Sequence, residues 1–442
     1  MKKKIYLLSA ANALLLCFSQ IRGNPVPVLL CLLLLAGITG YSCARNYALP
    51  VLLFFLPFAP LLRLSPGSIS AYTLALLLTG IICVVKNRFR LKSYYAGIAL
   101  TVFVVTLLPK ILSGYMLKKN YLMFIAMLAL YPMLDFEKRR YDFAALCLFF
   151  SSGIIIAALT AQKFADYPNI ARFIKVDTYL NITRRCGYYG DPNFYTAHIT
   201  AALAGCLVLL EREGSGRPRG IWAALGVLLV YCGLLSGSKS FVIIAGAEIS
   251  LWTADILVSR RSLSGKLGML AGLGTFFVFA LASSALRSLI DMVVTRFSWA
   301  GDASGFTTGR TDIWKQYVSA LCSSLKLALL GQGYTDVVVG THASHNTPIQ
   351  LIYQFGILGS WLLIAWFAGL YRDIVDLRRA PEVNRRIIWL LLGGAFSPWL
   401  AIDILFFDEL FLISTYAFIG IQQTASAGRR RSICRAPGSE FS

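Results

Sequence analysis

The sequence predicts an all-α polytopic membrane protein. Of its 442 residues, 57% are hydrophobic and only 14% are charged. A soluble chain needs roughly a quarter charged residues to cover its surface. The mean hydropathy is +0.66. Apolar runs of about 17–20 residues recur along the whole chain, each long enough to cross roughly 30 Å of hydrocarbon as a helix. The runs do not alternate polar with apolar, which favours helices over barrel strands.

Taken in order, the runs give 12–14 transmembrane helices, at 5–21, 25–42, 47–64, 68–86, 94–112, 118–134, 141–160, 193–210, 219–235, 240–258, 267–285, 348–370, 386–402 and 405–422. The opening "MKKKIYLLSAANALLLCFSQ" has the charged and apolar regions of a signal peptide. It lacks a small-residue cleavage site and another apolar run follows at once, so it reads as the first span. Lys and Arg cluster at 2–4, 86–92, 137–140, 211–219, 259–266, 371–386 and 428–435. An even number of expected helices separates every pair of clusters. All of them, and both termini, are therefore expected on the cytoplasmic side. Residues 1–425 read as a single integral membrane domain, and 426–442 as a basic cytoplasmic tail without fixed structure. The net charge of +21 follows from this bias and from attraction to the anionic bilayer, with no nucleic-acid partner.

The ten cysteines make no framework. Cys17, Cys31, Cys83, Cys147, Cys206 and Cys232 fall inside apolar runs, where Cys acts as a small hydrophobe. No Cys-x-x-Cys occurs. Cys186 and Cys322 lie in loops and could pair.

Two long segments are then expected to face outward, 161–192 and a large extracytoplasmic loop at 286–347, with a short turn at 236–240 between two helices. They hold Arg184, Arg185, Lys239, Arg287, Arg296, Arg310, His342 and His345. These are basic groups on the side that membrane proteins deplete of Lys and Arg, which is the first sign of function.

Three stretches carry that sign. In "NITRRCGYYGDPNFYTAH", Arg184 and Arg185 precede Asp191, Pro192 and Asn193. Asp-Pro-Asn is turn and capping chemistry that can also belong to a site. The arginines can meet lipid headgroups or capture an anion with their planar fork of donors. In "TTGRTDIWKQYVSALCSSLKLALLGQGY", Ile313, Trp314, Tyr317, Val318, Leu321 and Leu325 fall on one helical face behind Arg310. That helix is expected along the outer interface, with Trp314 and Tyr317 at headgroup depth. In "THASHNTPIQLIYQFGILGS", Asn346, Thr347 and Pro348 open a helix, and His345 sits just before it. His345 is either a hydrogen-bonded structural residue or a group that exchanges a proton near neutral pH. The outer carboxylates are scattered and include no Asp-x-Asp, so no metal or other cofactor is expected. Asp403, Asp408 and Glu409 lie in "AIDILFFDELF", and one of them is expected to pair with a site arginine or to orient His345, with Asp408 in the supporting set. Glu248 and His198, inside helices, are expected to be satisfied by neighbouring helices.

The ordered set "SGSKS", "TTGRTDIW", "LALLGQGY" and "SHNTPIQLIYQFGILG" resembles the O-antigen ligase and O-antigen polymerase superfamily of bacterial envelope glycosyltransferases. "GYYGDPNFYTA" resembles the family's Gly…Asn-Pro-Asn region, with Asp191 where Asn is common. The resemblance runs from about 184 to 365, and the N-terminal helices match only in hydrophobicity. It implies a GT-C-like enzyme of the cytoplasmic membrane that works at the outer face without a nucleotide sugar. The donor would be a glycan on undecaprenyl pyrophosphate. The acceptor would be a glycan or another hydroxyl, and flippase and chain-length regulator proteins are the implied partners. Carried over by position, Arg184, Arg185, Lys239 and Arg310 would hold the pyrophosphate, and His345 would activate or orient the acceptor hydroxyl. Asp191, Asn193, Trp314, Asn346 and Asp408 would support them. Lys239 stands where the family often has Arg, and keeps the charge without the bidentate fork.

Three functions compete. A polymerase would join lipid-linked repeat units into a capsule or O-antigen type polysaccharide. A ligase would move finished glycan to lipid A core, protein or another acceptor. A transporter or flippase of lipid-linked sugars would place its charges near the bilayer midplane on broken helices, with an internal repeat. Here the basic groups gather at one face and no repeat is visible, which speaks against a transporter; polymerase is placed ahead of ligase because "RRCGYYGDPNFY" and "TTGRTDIW" resemble family members from capsule-type systems.

Overall fold

The structure is a computed structural model. It describes all residues except 1, 66–67, 108–118, 135–140, 175–176, 180–181, 212–218, 259–265, 269–270, 273, 275–281, 299–306, 308, 334–338, 340–341, 376–384 and 436–442. The chain folds as an all-α polytopic bundle. The membrane core is built from α1 (Lys2–Arg22), α2 (Pro25–Ala44), α3 (Ala48–Phe55), α4 (Ala71–Lys86), α5 (Ser93–Val102), α6 (Lys119–Leu130) and α7 (Phe143–Phe164). A short helix α8 (Pro168–Ala171) and a hairpin of β1 (Asp177–Tyr179) and β2 (Ile182–Arg184) follow, paired antiparallel with Asp177 opposite Arg184. Then come α9 (Pro192–Glu211), α10 (Arg219–Leu235), α11 (Lys239–Val258), α12 (Ser284–Ser298), α13 (Arg310–Ser323), α14 (Leu325–Leu330), α15 (Thr347–Ile374), α16 (Arg385–Phe396) and α17 (Asp408–Arg435).

Among the described residues, six helices are long and apolar enough to span a membrane: α1, α2, α7, α9, α11 and α15. α7 and α9 form the centre, with 83% of each span buried, whereas only 33% of α11 is buried. The run of small residues Ala197, Ala201, Ala202, Ala204 and Gly205 lets other helices approach α9 closely. The outer helices expose Leu7, Leu15, Leu30 and Leu33, as lipid contact requires.

The structure corrects several expected spans. The expected span 47–64 is regular only from Ala48 to Phe58, through a 3-10 turn at Leu56–Phe58. That covers about 16 Å, half the hydrocarbon thickness. The segment persists because protein satisfies the carbonyls it frees. Gln20 Nε2 donates to Leu61 O (3.1 Å) and Arg63 O (2.9 Å), and the Ser70 hydroxyl donates to Ala59 O (2.7 Å). The spans expected at 68–86, 94–112 and 118–134 are, among the described residues, likewise short apolar helices of 10–17 residues, whereas the span expected at 219–235 is helical over those residues. The span expected at 267–285 lies largely outside the described residues. The loop expected at 286–347 contains helix α12, which the sequence reading missed. The tail expected without structure from 426 is helical to Arg435. Cys186 is buried, Cys322 is exposed, and no disulfide joins them.

At one end of the bundle, ion pairs join the basic clusters: Lys2 to Asp142 (3.3 Å), Lys92 to Asp373 (2.9 Å) and Arg386 to Asp255 (3.1 Å). The other end is held by α15. Its backbone breaks at Gly356, where φ is 64°. The break frees the carbonyls of Tyr353 and Gln354, which accept from Gln332 N (2.8 Å) and Gly333 N (2.9 Å). The turn after α14 thus docks backbone to backbone on the kink. A Cβ on Gly356 would stand 2.3 Å from Leu329 O, and one on Gly331 would stand 2.4 Å from Gly356 N. Gly331→Ala and Gly356→Ala are each expected to cost about 2–3 kcal/mol, through overpacking and a disfavoured positive φ. Thermal unfolding in detergent checks this. Gly246→Ala, whose Cβ would meet nothing within 4 Å, should leave the midpoint unchanged.

Candidate active site

The end of the bundle opposite those ion pairs contains a cavity of about 670 Å³. Arg184, Asn193, Lys239, Arg310, Trp314 and His345 line it, and so do Arg296 and His342. Six of the ten residues carried over from the resemblance therefore share one space, although they come from four separate stretches of chain.

Each stretch has a local reason to be there. The short strand β2 ends at Arg184, which is buried and donates from Nε to Ser236 O (3.0 Å). Arg185 is exposed and lines no part of the cavity; its backbone N–H pairs with Leu235 O. Neighbouring residues on extended chain point to opposite sides, so one arginine of the pair is turned away from the site. Asp191 caps α9 by accepting from Asn193 N (2.7 Å) and Phe194 N (3.3 Å). The cap leaves the Asn193 side chain to accept from the Ser238 and Ser240 hydroxyls, at 3.1 and 2.9 Å. This fastens the start of α9 to the "SGSKS" turn and sets Lys239 on the cavity wall.

Arg310 opens α13 directly after Gly309, which has φ 80°. Burial pulls the Arg310 guanidinium below its usual range, Asp191 and Asp403 oppose that shift, and Arg184 adds to it. Arginine keeps its charge through such shifts. The cavity is therefore strongly cationic. Its carboxylate lining among the described residues is the exposed Asp312, which pairs with Lys315 at 3.1 Å.

Trp314 and Tyr317, expected at headgroup depth, tie α13 to the histidine loop: Trp314 Nε1 donates to Ser344 O (2.9 Å) and the Tyr317 hydroxyl to His342 O (3.1 Å).

His345 has a φ of 47°, a left-handed conformation that few non-glycine residues adopt. Asp403 holds it there. Its two oxygens accept from His345 N (2.9 Å), Asn346 N (3.1 Å) and the Ser344 hydroxyl. Asn346 is the N-cap of α15, accepting from Ile349 N at 3.1 Å, and does not line the cavity. Of the three carboxylates in "AIDILFFDELF", it is thus Asp403 that orients His345. Asp408 bonds the Thr73 hydroxyl (2.7 Å) and lines a different cavity.

The sequence reading did not carry Arg296 into the site, because no matched motif contains it. Its guanidinium donates to Gly237 O from helix α12, and it is 5% exposed. The usable signal was the excess of cations on the outer segments, which already included it. His198 stacks edge-on against Tyr189 (4.7 Å) and has Nε2 3.4 Å from Glu409 Oε1, near enough for an ion pair but out of line for a hydrogen bond. Glu248 departs from expectation, since neither carboxyl oxygen has a hydrogen-bond partner among the described residues. No group of three His, Cys, Asp or Glu among the described residues is arranged to hold a metal ion.

Fold and site together define a polytopic membrane protein with a cation-lined cavity at one end and a histidine held at its edge. Searched against known protein families and curated proteins, the chain matches none.

Asp403→Ala removes the acceptor for three donors. Bonds to a carboxylate are worth about 1.5–3 kcal/mol each. Hydrogen exchange at the amides of residues 345 and 346 is expected to speed up by about 10- to 100-fold, and Asp403→Asn, which keeps one acceptor oxygen, should have a smaller effect. Unchanged exchange in both variants would remove Asp403 from this role.

Proposed function

We propose that this protein is a GT-C-like glycosyltransferase that polymerises undecaprenyl-pyrophosphate-linked oligosaccharide repeat units into a surface polysaccharide. It would sit in a bacterial cytoplasmic membrane, with both termini in the cytoplasm and the cavity at the outer face. One observation carries the reading: Arg184, Lys239, Arg296 and Arg310 line one cavity with His345.

The chemistry follows from charge. The donor's anomeric carbon is bonded to a pyrophosphate oxygen. The acceptor hydroxyl attacks that carbon and its proton passes to the His345 imidazole. The carbon–oxygen bond to pyrophosphate breaks, and the electron pair leaves with the pyrophosphate. Negative charge grows on the leaving group, where the fixed cations stabilise it most. Displacement at a single centre inverts the anomeric configuration. The polyprenyl chain needs an apolar path, and a groove of about 1040 Å³ begins at Thr347 and Pro348 and runs beside α15, lined by Leu351, Trp361, Phe367 and Trp399.

The test is surface polysaccharide from cells lacking the gene, complemented with wild type or variants and resolved by length. His345→Ala and Arg310→Ala are expected to leave single repeat units in place of long chains, with transfer slowed about 10²- to 10⁴-fold for loss of the base. His345→Gly relieves the left-handed backbone, so it should be at least as stable as wild type and equally inactive. Full-length glycan left on its lipid carrier would mean ligase instead. Normal chains from all three variants, at normal protein level, would sink the assigned site.

A further inference from the structure

A second cavity, of about 470 Å³, shares chain segments with the first. The 184–194 segment gives Arg184 and Asn193 to the first cavity and Tyr188 and Tyr189 to the second. Asp403 holds His345 at the edge of the first, while Asp408 and Glu409, a few residues on, line the second. A ring contact between Phe194 and Phe407 (4.7 Å) joins the two segments.

The second cavity differs from the first in charge. Arg63 and Arg172 face Asp408 and Glu409, so its formal charges cancel. A pyrophosphate gains no net attraction there and meets two carboxylates. The remaining chemistry is that of a hydroxyl-rich ligand. Carboxylates and guanidinium groups are planar and make paired hydrogen bonds that match neighbouring hydroxyls. Phe124 and Phe406, packed edge to face, form an apolar part of its lining. Glu409 is only 3% exposed, and carboxylates this deep in a membrane protein are costly unless used. Among the described residues, Asp408 engages one oxygen with Thr73, and Glu409 one with Tyr189 and His198. The second oxygen of each is left for a ligand. The volume suits a short oligosaccharide.

We infer that this second cavity binds part of the acceptor saccharide, beside the 184–194 segment that also lines the first cavity. The inference rests on the glycosyl-transfer reading above.

The experiment uses the full chain in lipid nanodiscs and two probes measured by calorimetry. One is undecaprenyl pyrophosphate without sugar. The other is the oligosaccharide released by mild acid from the lipid-linked repeat units of cells carrying this gene. Wild type should bind both. Asp408→Asn and Glu409→Gln should weaken the oligosaccharide by about tenfold or more and leave undecaprenyl pyrophosphate unchanged. Arg310→Ala should do the reverse. Asn120→Trp places bulk at an exposed position on the cavity rim, so it tests entry without disturbing a buried group. It should block the oligosaccharide alone. Oligosaccharide binding that survives all three second-cavity variants, or that disappears with Arg310→Ala, would overturn the inference, while intact undecaprenyl pyrophosphate binding would leave the glycosyl-transfer reading standing. A wild-type protein that binds neither probe would overturn both.

Discussion

Inside lipid, no water is available to a peptide group that leaves a helix, so protein must supply every partner. The architecture around both cavities is built on that constraint. α3 stops half-way across, and Gln20 and Ser70 take up its freed carbonyls. α15 breaks at Gly356, and the turn after α14 fills the gap. α16 gives way to a 3-10 turn at Ser397–Ala401, and Thr347 donates to Ile402 O at 2.6 Å just beyond it. Each repair ties a distant loop to the bundle end where the cavities lie. The irregular backbone is what lets polar side chains gather at this depth.

The same economy governs charge. Away from the cavities, Lys2, Lys92 and Arg386 meet carboxylates. At the first cavity, Arg184 and Arg296 donate to the carbonyls of Ser236 and Gly237. A carbonyl fixes a guanidinium in place without cancelling its charge. Asp403 acts on Arg310 only through space, while its oxygens accept from the backbone of His345 and Asn346. A region of positive potential survives in a poorly hydrated setting, where electrostatic interactions are stronger than in water.

Much of this was legible in the sequence. Hydrophobic run length gave the helical class, and cations on the outer segments pointed to the cavity. Motif order brought Arg184, Lys239, Arg310 and His345 onto one wall before any coordinates. Run length misjudged 47–64, because a continuous apolar stretch does not reveal where Leu56–Phe58 tightens into a 3-10 turn. It could not separate Arg184 from Arg185, since strand register decides which of two adjacent residues faces inward. It ranked Asp408 over Asp403 because all three nearby carboxylates share one stretch, and only tertiary hydrogen bonds tell them apart. Helix α12 went unread because its amphipathic pattern, with Arg287, Asp291 and Arg296, falls in a segment that reads as polar loop.

The turn from Arg184 to Phe194 is a partition shared by the two cavities. Tyr189 faces one cavity and Asn193 the other, and a single Asp191 cap holds the turn between them. A ligand that displaces this partition from either side changes the shape of the opposite chamber. Thermodynamic linkage then makes the effect mutual: the factor by which the first occupant alters the second's affinity equals the factor in return.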